Sequence, residues 1–217
     1  MPRLVIIFIT YERTDYAIHA INETMSKLHN SGGVSWYVCD DGSRNNNHGR
    51  IIDYLKQNKQ HICGHHTEKL GYGGGVNKAW RIASQTSPVT LWLEDDWRLS
   101  EEWDVTPYVD QLIHDETVGM LRFGYIQVGM RGAVINHNHD VFLDLDKNIP
   151  FAFAGHPHLK HDRFMTRYGD YPTGVNPGQT EIKYDEIIRR KNGPRILWHI
   201  GCHWGKFAHF GAVPAYE

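Results

Sequence analysis

Apolar positions along this chain follow two rhythms, one of short unbroken runs and one of helical spacing, and they alternate. Leu4–Thr10 is a continuous apolar run of strand length, and Asp15–Leu28 places Ile18, Ile21, Met25 and Leu28 three or four residues apart, on one helical face. The pattern repeats. Val34–Cys39 predicts a second strand, and a helix follows through Ile51, Ile52 and Leu55. His61–Cys63 predicts a short third strand, Val76–Ser84 a helix after a glycine run, and Val89–Leu93 a fourth strand. Strand and helix in alternation predict an α/β fold: a Rossmann-like, mostly parallel sheet with helices on both faces, binding ligands outside the carboxyl ends of its strands. After Trp103 the rhythm breaks into short strands at Gly119–Phe123, Ile126–Val128 and Val141–Leu143, a region rich in glycine and proline from Phe151 to Gln179, and a helix near Tyr184–Lys191. That half predicts a small antiparallel elaboration of the same domain.

Composition narrows the class without changing this picture. A chain of 217 residues fits one domain over 1–217, with halves 1–103 and 104–217. A net charge of -2 argues against a general polyanion binder. The run Leu4–Ile9 is stopped by Thr10, Glu12 and Arg13, so it reads as a strand and not as a signal peptide or membrane span, and no other stretch reaches spanning length. Three widely separated cysteines, Cys39, Cys63 and Cys202, do not form a disulfide framework, which predicts a reducing, cytoplasmic setting.

The chemistry sits where the strands stop. Leu91-Trp92-Leu93 runs directly into Glu94-Asp95-Asp96. Alternation along a strand sends Glu94 and Asp96 to one side and Asp95 to the other, so two carboxylates can share one hard cation, Mg²⁺ or Mn²⁺. The ordinary alternative is an acidic start to a helix over Trp97–Trp103. The first strand ends at Thr10-Tyr11 and the second at Asp40-Asp41-Gly42-Ser43, which could equally be an Asx turn. Lys69-Leu70-Gly71-Tyr72-Gly73-Gly74-Gly75-Val76-Asn77 is a glycine-rich loop leading into a helix, a place where backbone amides can approach a phosphate.

Asp40-Asp41-Gly42-Ser43, Gly71, Asn77 and Glu94-Asp95-Asp96 occur in an order and spacing that resembles family 2 glycosyltransferases of GT-A fold. Phe153-Ala154-Gly155-His156-Pro157 is similar to the family's acceptor-side glycine loop, and Gln179-Thr180-Glu181 to its Glu-Asp helix. The resemblance implies a nucleotide-sugar-binding first half, an acceptor-binding second half, and a metal-dependent inverting transfer from a nucleotide-diphosphate sugar to an acceptor hydroxyl. Asp41 would read the base, with Tyr11 at the first strand end beside it, and Glu94 would lie near the ribose. Thr10, Lys69, Gly71, Asn77 and Asp95 would complete the nucleotide-sugar set, with Lys69 standing where the family often has asparagine. Asp96 would bind the Mn²⁺ or Mg²⁺. His199 would complete the metal shell, with His203 as the fallback. Gly155 and His156 would face the acceptor; Trp97 and Trp204, next to candidate site residues, are the tryptophans whose ring faces could contact a sugar there. Ile182 replaces the aspartate of the usual Glu-Asp pair, so Glu181 is the base the resemblance points to, with Asp185 one turn later as the alternative.

On family frequency a UDP-sugar is preferred over GDP- or dTDP-sugars. The acceptor is open among a glycan, a protein, a lipid-linked sugar and a modified DNA base. Two rival functions share the fold class: a sugar-nucleotide nucleotidyltransferase, for which Thr10-Tyr11-Glu12-Arg13 lacks the basic glycine-rich signature, and a non-catalytic carbohydrate-binding protein. Most of the fifteen histidines, and most of the tryptophans, have an ordinary reading as core or surface groups.

Overall fold

The computed structural model describes residues 3–124, 130–137, 140–150, 152–200 and 206–210. The strand expected at Ile126–Val128, together with Cys202, His203 and Trp204, lies outside the described residues.

The chain runs β1 (Leu4–Thr10), α1 (Thr14–Lys27), β2 (Leu28–His29), β3 (Val34–Asp40), α2 (Asn47–Gln57), β4 (Ile62–His66), α3 (Gly71–Ala83) and β5 (Val89–Glu94). It continues through β6 (Trp97–Leu99), β7 (Trp103–Asp104), α4 (Thr106–His114), β8 (Val118–Arg122), β9 (Gly132–His137), β10 (Asp140–Leu145) and β11 (His158–His161). The last elements are α5 (Asp162–Tyr168), α6 (Pro177–Arg190), β12 (Arg195–His199) and β13 (Phe207–His209). A nine-stranded sheet of order β4-β3-β1-β5-β11-β8-β12-β10-β9 forms the centre, and only β10 and β11 run against the other strands in it. The fold is the mostly parallel α/β sheet the alternation predicts, with helices on both faces.

Strand alternation divides the core. Leu4, Ile6 and Phe8 of β1 pack with Ala17 of α1, Ile51 of α2 and Val109 of α4 on one face. Val5 and Ile7 pack with Val76 of α3, Phe164 of α5 and Tyr184 of α6 on the other. Because β1 pairs in parallel with both β3 and β5, Thr10 lies opposite Asp40 and Ile9 opposite Glu94, so three polar strand ends meet at one edge of the sheet. No helix among the described residues is long and apolar enough to cross a membrane.

Tertiary contacts redraw several local expectations. Trp97–Leu99 and Trp103–Asp104 are short strands, β6 against β13 and β7 against β2, so the carboxylates before them do not start a helix. β11 arises inside the region rich in glycine and proline and inserts antiparallel between β5 and β8. Its sequence, His158-Leu159-Lys160-His161, carries no apolar run. Lys160 is nevertheless buried, its ammonium 3.5 Å from the Trp92 ring centroid and 2.8 Å from the Tyr171 hydroxyl.

The glycine run is itself helical, the first two turns of α3. A Cβ on Gly73 would overlap the backbone carbonyl oxygen of Pro172, so the missing side chain is what lets α3 lie against that segment. Because a backbone carbonyl cannot rotate away, Gly73→Ala is expected to destabilise the fold by about 1–3 kcal/mol, as for other overpacked sites, despite alanine's better helix propensity. Urea denaturation midpoints would check it; an unchanged or raised midpoint would contradict the close approach.

Candidate active site

The cavity at the joined strand ends, about 220 Å³, is lined by Thr10, Tyr11 and Arg13 after β1, Cys39 and Asp41 at β3, Gly71, Tyr72 and Gly75 of α3, Glu94, Asp95 and Asp96 after β5, and Pro177 of α6. Thr10, Tyr11, Asp41, Gly71, Glu94, Asp95 and Asp96 are thus brought together as the sequence predicts. Arg13, Tyr72 and Pro177 are additions.

Each carboxylate is held differently. Asp41 accepts hydrogen bonds from the N–H groups of Leu70 (2.8 Å) and Gly71 (2.7 Å), which fixes the start of α3 over the cavity. Asp95, in the turn after β5, accepts from the Thr10 hydroxyl at 2.7 Å and the Tyr11 N–H at 3.4 Å. Burial pushes its carboxyl up to about 7, against the lowering effect of the Thr10 hydroxyl. Glu94 accepts from the Tyr72 hydroxyl at 3.0 Å, and burial, then the charges of Asp96 and Glu181, hold it well above the usual carboxylate range. Arg13 bridges the pair, its Nη1 3.5 Å from Asp95 Oδ1 and 3.0 Å from Asp96 Oδ2. Lys69 is exposed and does not line the cavity; its ammonium lies 5.5 Å from the ring centroid of Tyr11, which does.

Asp96 is the carboxylate with an acceptor to spare. Oδ2 meets Arg13 and, at 3.4 Å, His209 Nε2, while Oδ1 is buried and makes no hydrogen bond. An oxygen beside an imidazole suits a divalent cation of the Mn²⁺ kind, although no group of three or more His, Cys, Asp and Glu residues converges in metal-holding geometry among the described residues. His199 is not placed to join Asp96. Its Nε2 lies 3.1 Å from Asp140 Oδ1, and its ring is buried among Tyr108, Phe123 and Phe142. β13 brings His209 to Asp96 instead, and the Phe210 N–H donates to the Asp96 carbonyl at 2.9 Å.

Asn77 is also placed elsewhere. Buried on α3, it donates to the Tyr171 carbonyl (2.9 Å) and accepts from the Tyr171 N–H (2.8 Å), so both ends of its amide clasp the chain 94 residues away and none faces the cavity. Trp97 is 3% exposed and packs against His156 and His209 at 5.1 Å each, which leaves it no open face for a sugar. His156 is largely enclosed, and burial pushes its imidazole down to about 3.

α6 begins at Pro177, with the Asn176 side chain capping the Gln179 N–H at 2.9 Å. Asparagine followed by proline at the first helical position is a strong start signal, and it lengthens the helix so that Glu181 and Asp185 stand a turn apart on one side. The two carboxylates hold alternate backbone N–H groups of one loop: Asp185 Oδ1 accepts from Phe153 at 3.0 Å, and Glu181 Oε1 accepts from Gly155. Asp185 is 2% exposed and spends its other oxygen on Arg189 at 3.2 Å. Glu181 is the outer member, next to Glu94 and Tyr72 across Gly155, though it is not part of the cavity lining. Burial raises its carboxyl, opposed by the Gly155 N–H and by the charge of Arg122. Arg122 itself is fully buried, its guanidinium 4.1 Å from the Trp198 ring centroid and donating to the Ala152 carbonyl at 2.8 Å.

The mostly parallel α/β core, with carboxylates gathered from its strand ends around one cavity, has the GT-A architecture of the solved structures it resembles. The profile of Glycosyl transferase family 2 matches residues 5–165, and the chain belongs to that family. No curated protein matches the chain. Among solved structures it is similar to S. aureus TarS 1-349 in complex with UDP-GlcNAc, at TM-score 0.69 and 14% identity, over 100% of this chain and 60% of that one. It is also similar to the mannosyltransferase PcManGT from Pyrobaculum calidifontis in complex with GDP-Man and Mn²⁺, at TM-score 0.66 and 14% identity, over 99% of this chain and 58% of that one. These are likenesses of fold, and the chain spans less than two thirds of the length of either structure.

Proposed function

We propose that this chain transfers a sugar from a nucleotide-diphosphate donor, a UDP-sugar by preference, to an acceptor hydroxyl with inversion at the anomeric carbon. The observation that carries the reading is the convergence of Thr10, Asp41, Glu94, Asp95 and Asp96 from three neighbouring strands on one cavity. Two fold relatives solved with GDP-Man and UDP-GlcNAc support a nucleotide-diphosphate sugar as the donor class. Residues 1–217 work as one unit in this reading. The half up to residue 103 holds the donor, and the half from 104 supplies β11 beside β5 and the Gly155 loop facing the acceptor.

Asp41 and Tyr11 bind the base, and Glu94, pinned by Tyr72, lies toward the ribose and sugar. Asp96 and His209 hold a Mn²⁺ or Mg²⁺ ion, whose contribution when bound is to stabilise negative charge on the leaving diphosphate. Glu181 takes the proton from the attacking hydroxyl, and Asp185, through Phe153, keeps the loop in place. Incubation with UDP-, GDP- and dTDP-sugars and Mn²⁺, scored by nucleotide release, tests the reading; no turnover of any nucleotide sugar with any acceptor would reject it.

Asp96→Ala removes the carboxylate whose buried Oδ1 is free to take an ion. Calorimetric titration with UDP and Mn²⁺ is expected to show a loss of about tenfold or more in metal-dependent affinity, by the worth of an oxygen ligand and its charge. Equal binding by the variant would take Asp96 out of the metal site.

A further inference from the structure

Alternation along β3 and β4 sorts their polar residues onto two faces. Trp36 and Val38 pack toward α2, and Asp40 continues that series, whereas Tyr37 and Cys39 face α3. His66 joins the α3 side, 3.0 Å from the Tyr37 hydroxyl and 3.4 Å from Cys39 Sγ. Its neighbour His65 therefore projects to the α2 side. There His48, in the first turn of α2, brings Nε2 to 3.0 Å from His65 Nδ1, with ring centroids 4.9 Å apart. Behind it, His48 Nδ1 lies 3.8 Å from Asp40 Oδ2. Asp40 is fully buried, and its Oδ1 accepts from the Ser43 N–H and hydroxyl, but Oδ2 makes no hydrogen bond. None of His48, His65 and Asp40 lines the strand-end cavity.

We propose that His48 Nε2 and His65 Nδ1 form a second cation site, for a nitrogen-seeking divalent ion of the Zn²⁺ type, with water completing the shell and Asp40 orienting His48 from behind. The two nitrogens share one hydrogen bond at 3.0 Å; when the shared proton moves to the other nitrogen of its own ring, both present a lone pair to one ion, and zinc–imidazole bonds of about 2.0–2.1 Å close at nearly a right angle. At 3.8 Å Asp40 Oδ2 and His48 Nδ1 face each other without a hydrogen bond, neither having another partner; the negative charge on that side favours the proton on Nδ1 and so leaves Nε2 to ligate, and a small closing movement would complete the support that acids give ligating histidines. Burial, and then the neighbouring His65, lower the His48 pKa, so its ligand form prevails at neutral pH. His65 is exposed, which gives the ion access. Mg²⁺ and Ca²⁺ prefer oxygen ligands and are excluded. With two protein ligands the site is an open one, unlike the four-ligand cages of structural zinc. The inference does not depend on the transferase reading.

The test is calorimetric titration of the whole chain with Zn²⁺ in an Asp96→Ala background, which removes the strand-end carboxylate, accompanied by anomalous scattering from crystals soaked in Zn²⁺. Adding His65→Ala is expected to weaken the remaining Zn²⁺ binding by about tenfold or more, and Asp40→Asn by about tenfold, in the range found for outer-shell partners. The anomalous peak is expected between His48 Nε2 and His65 Nδ1. Zn²⁺ binding unchanged by His65→Ala, no Zn²⁺ binding in the Asp96→Ala background, or a peak placed elsewhere would each overturn the proposal.

Discussion

Glu181→Gln is expected to lower the transfer rate by about 10² to 10⁴, the usual worth of a positioned general base, while donor and metal binding stay near those of the parent. Glutamine keeps the carbonyl oxygen that accepts the Gly155 N–H, so the loop is retained and only the proton acceptor is lost. Burial raises the Glu181 carboxyl, and a base must be deprotonated to act. Activity of the parent should therefore fall on the acid side at a pH above the ordinary carboxylate range, and this limb should be missing from the residual activity of the variant. Asp185→Asn serves as the comparison. Both Asp185 oxygens are already occupied, by Phe153 and Arg189, so its substitution should act through stability and loop position and not through the shape of the pH profile. Near-normal transfer by Glu181→Gln, or a product with retained configuration, would remove Glu181 as the base.

Gly155→Ala should separate activity from stability. A Cβ at this position would lie 2.5 Å from Glu181 Oε1, 3.0 Å from Glu94 Oε1 and 3.1 Å from the Tyr72 hydroxyl. All three are ends of movable side chains, so the fold can accommodate the methyl by displacing them, and the thermal midpoint should shift little. The displaced groups are the proposed base and the carboxylate beside the donor. A misplacement on the order of 1 Å in a reacting group can cost about 10² in rate, and kcat should fall by about that factor. Measuring kcat together with the melting temperature decides it. A large drop in stability with normal kcat would show that the glycine serves packing alone.

The parts of this molecule legible in its sequence are those set by neighbours along the chain. Run length and alternation marked β1, β3 and β5 to within a residue, because a buried parallel strand must be apolar on both faces and must end where polar groups begin. With those strands parallel, the placement of Thr10, Asp41 and Glu94-Asp95-Asp96 around one cavity follows from topology. β11 was not legible, since a strand of His158-Leu159-Lys160-His161 becomes tolerable in a sheet centre only when Trp92 and Tyr171 surround the lysine. α3 begins earlier than its periodicity suggests because glycines carry no apolar side chain to set a rhythm, and the reason for Gly73, its close approach to Pro172, lies in a segment far away in sequence.

What the sequence by itself determined is therefore the fold class and the acidic strand ends, both consequences of local pattern. The tertiary structure alone decided which groups among similar candidates are used. It gave His209 to Asp96 and His199 to Asp140, spent Asn77 on the Tyr171 backbone, enclosed Trp97, and distinguished the outer Glu181 from the saturated Asp185. The reason is physical: whether a histidine or carboxylate has a lone pair to offer depends on what packs against it, and those neighbours come from strands and helices that only the complete sheet brings within hydrogen-bonding distance.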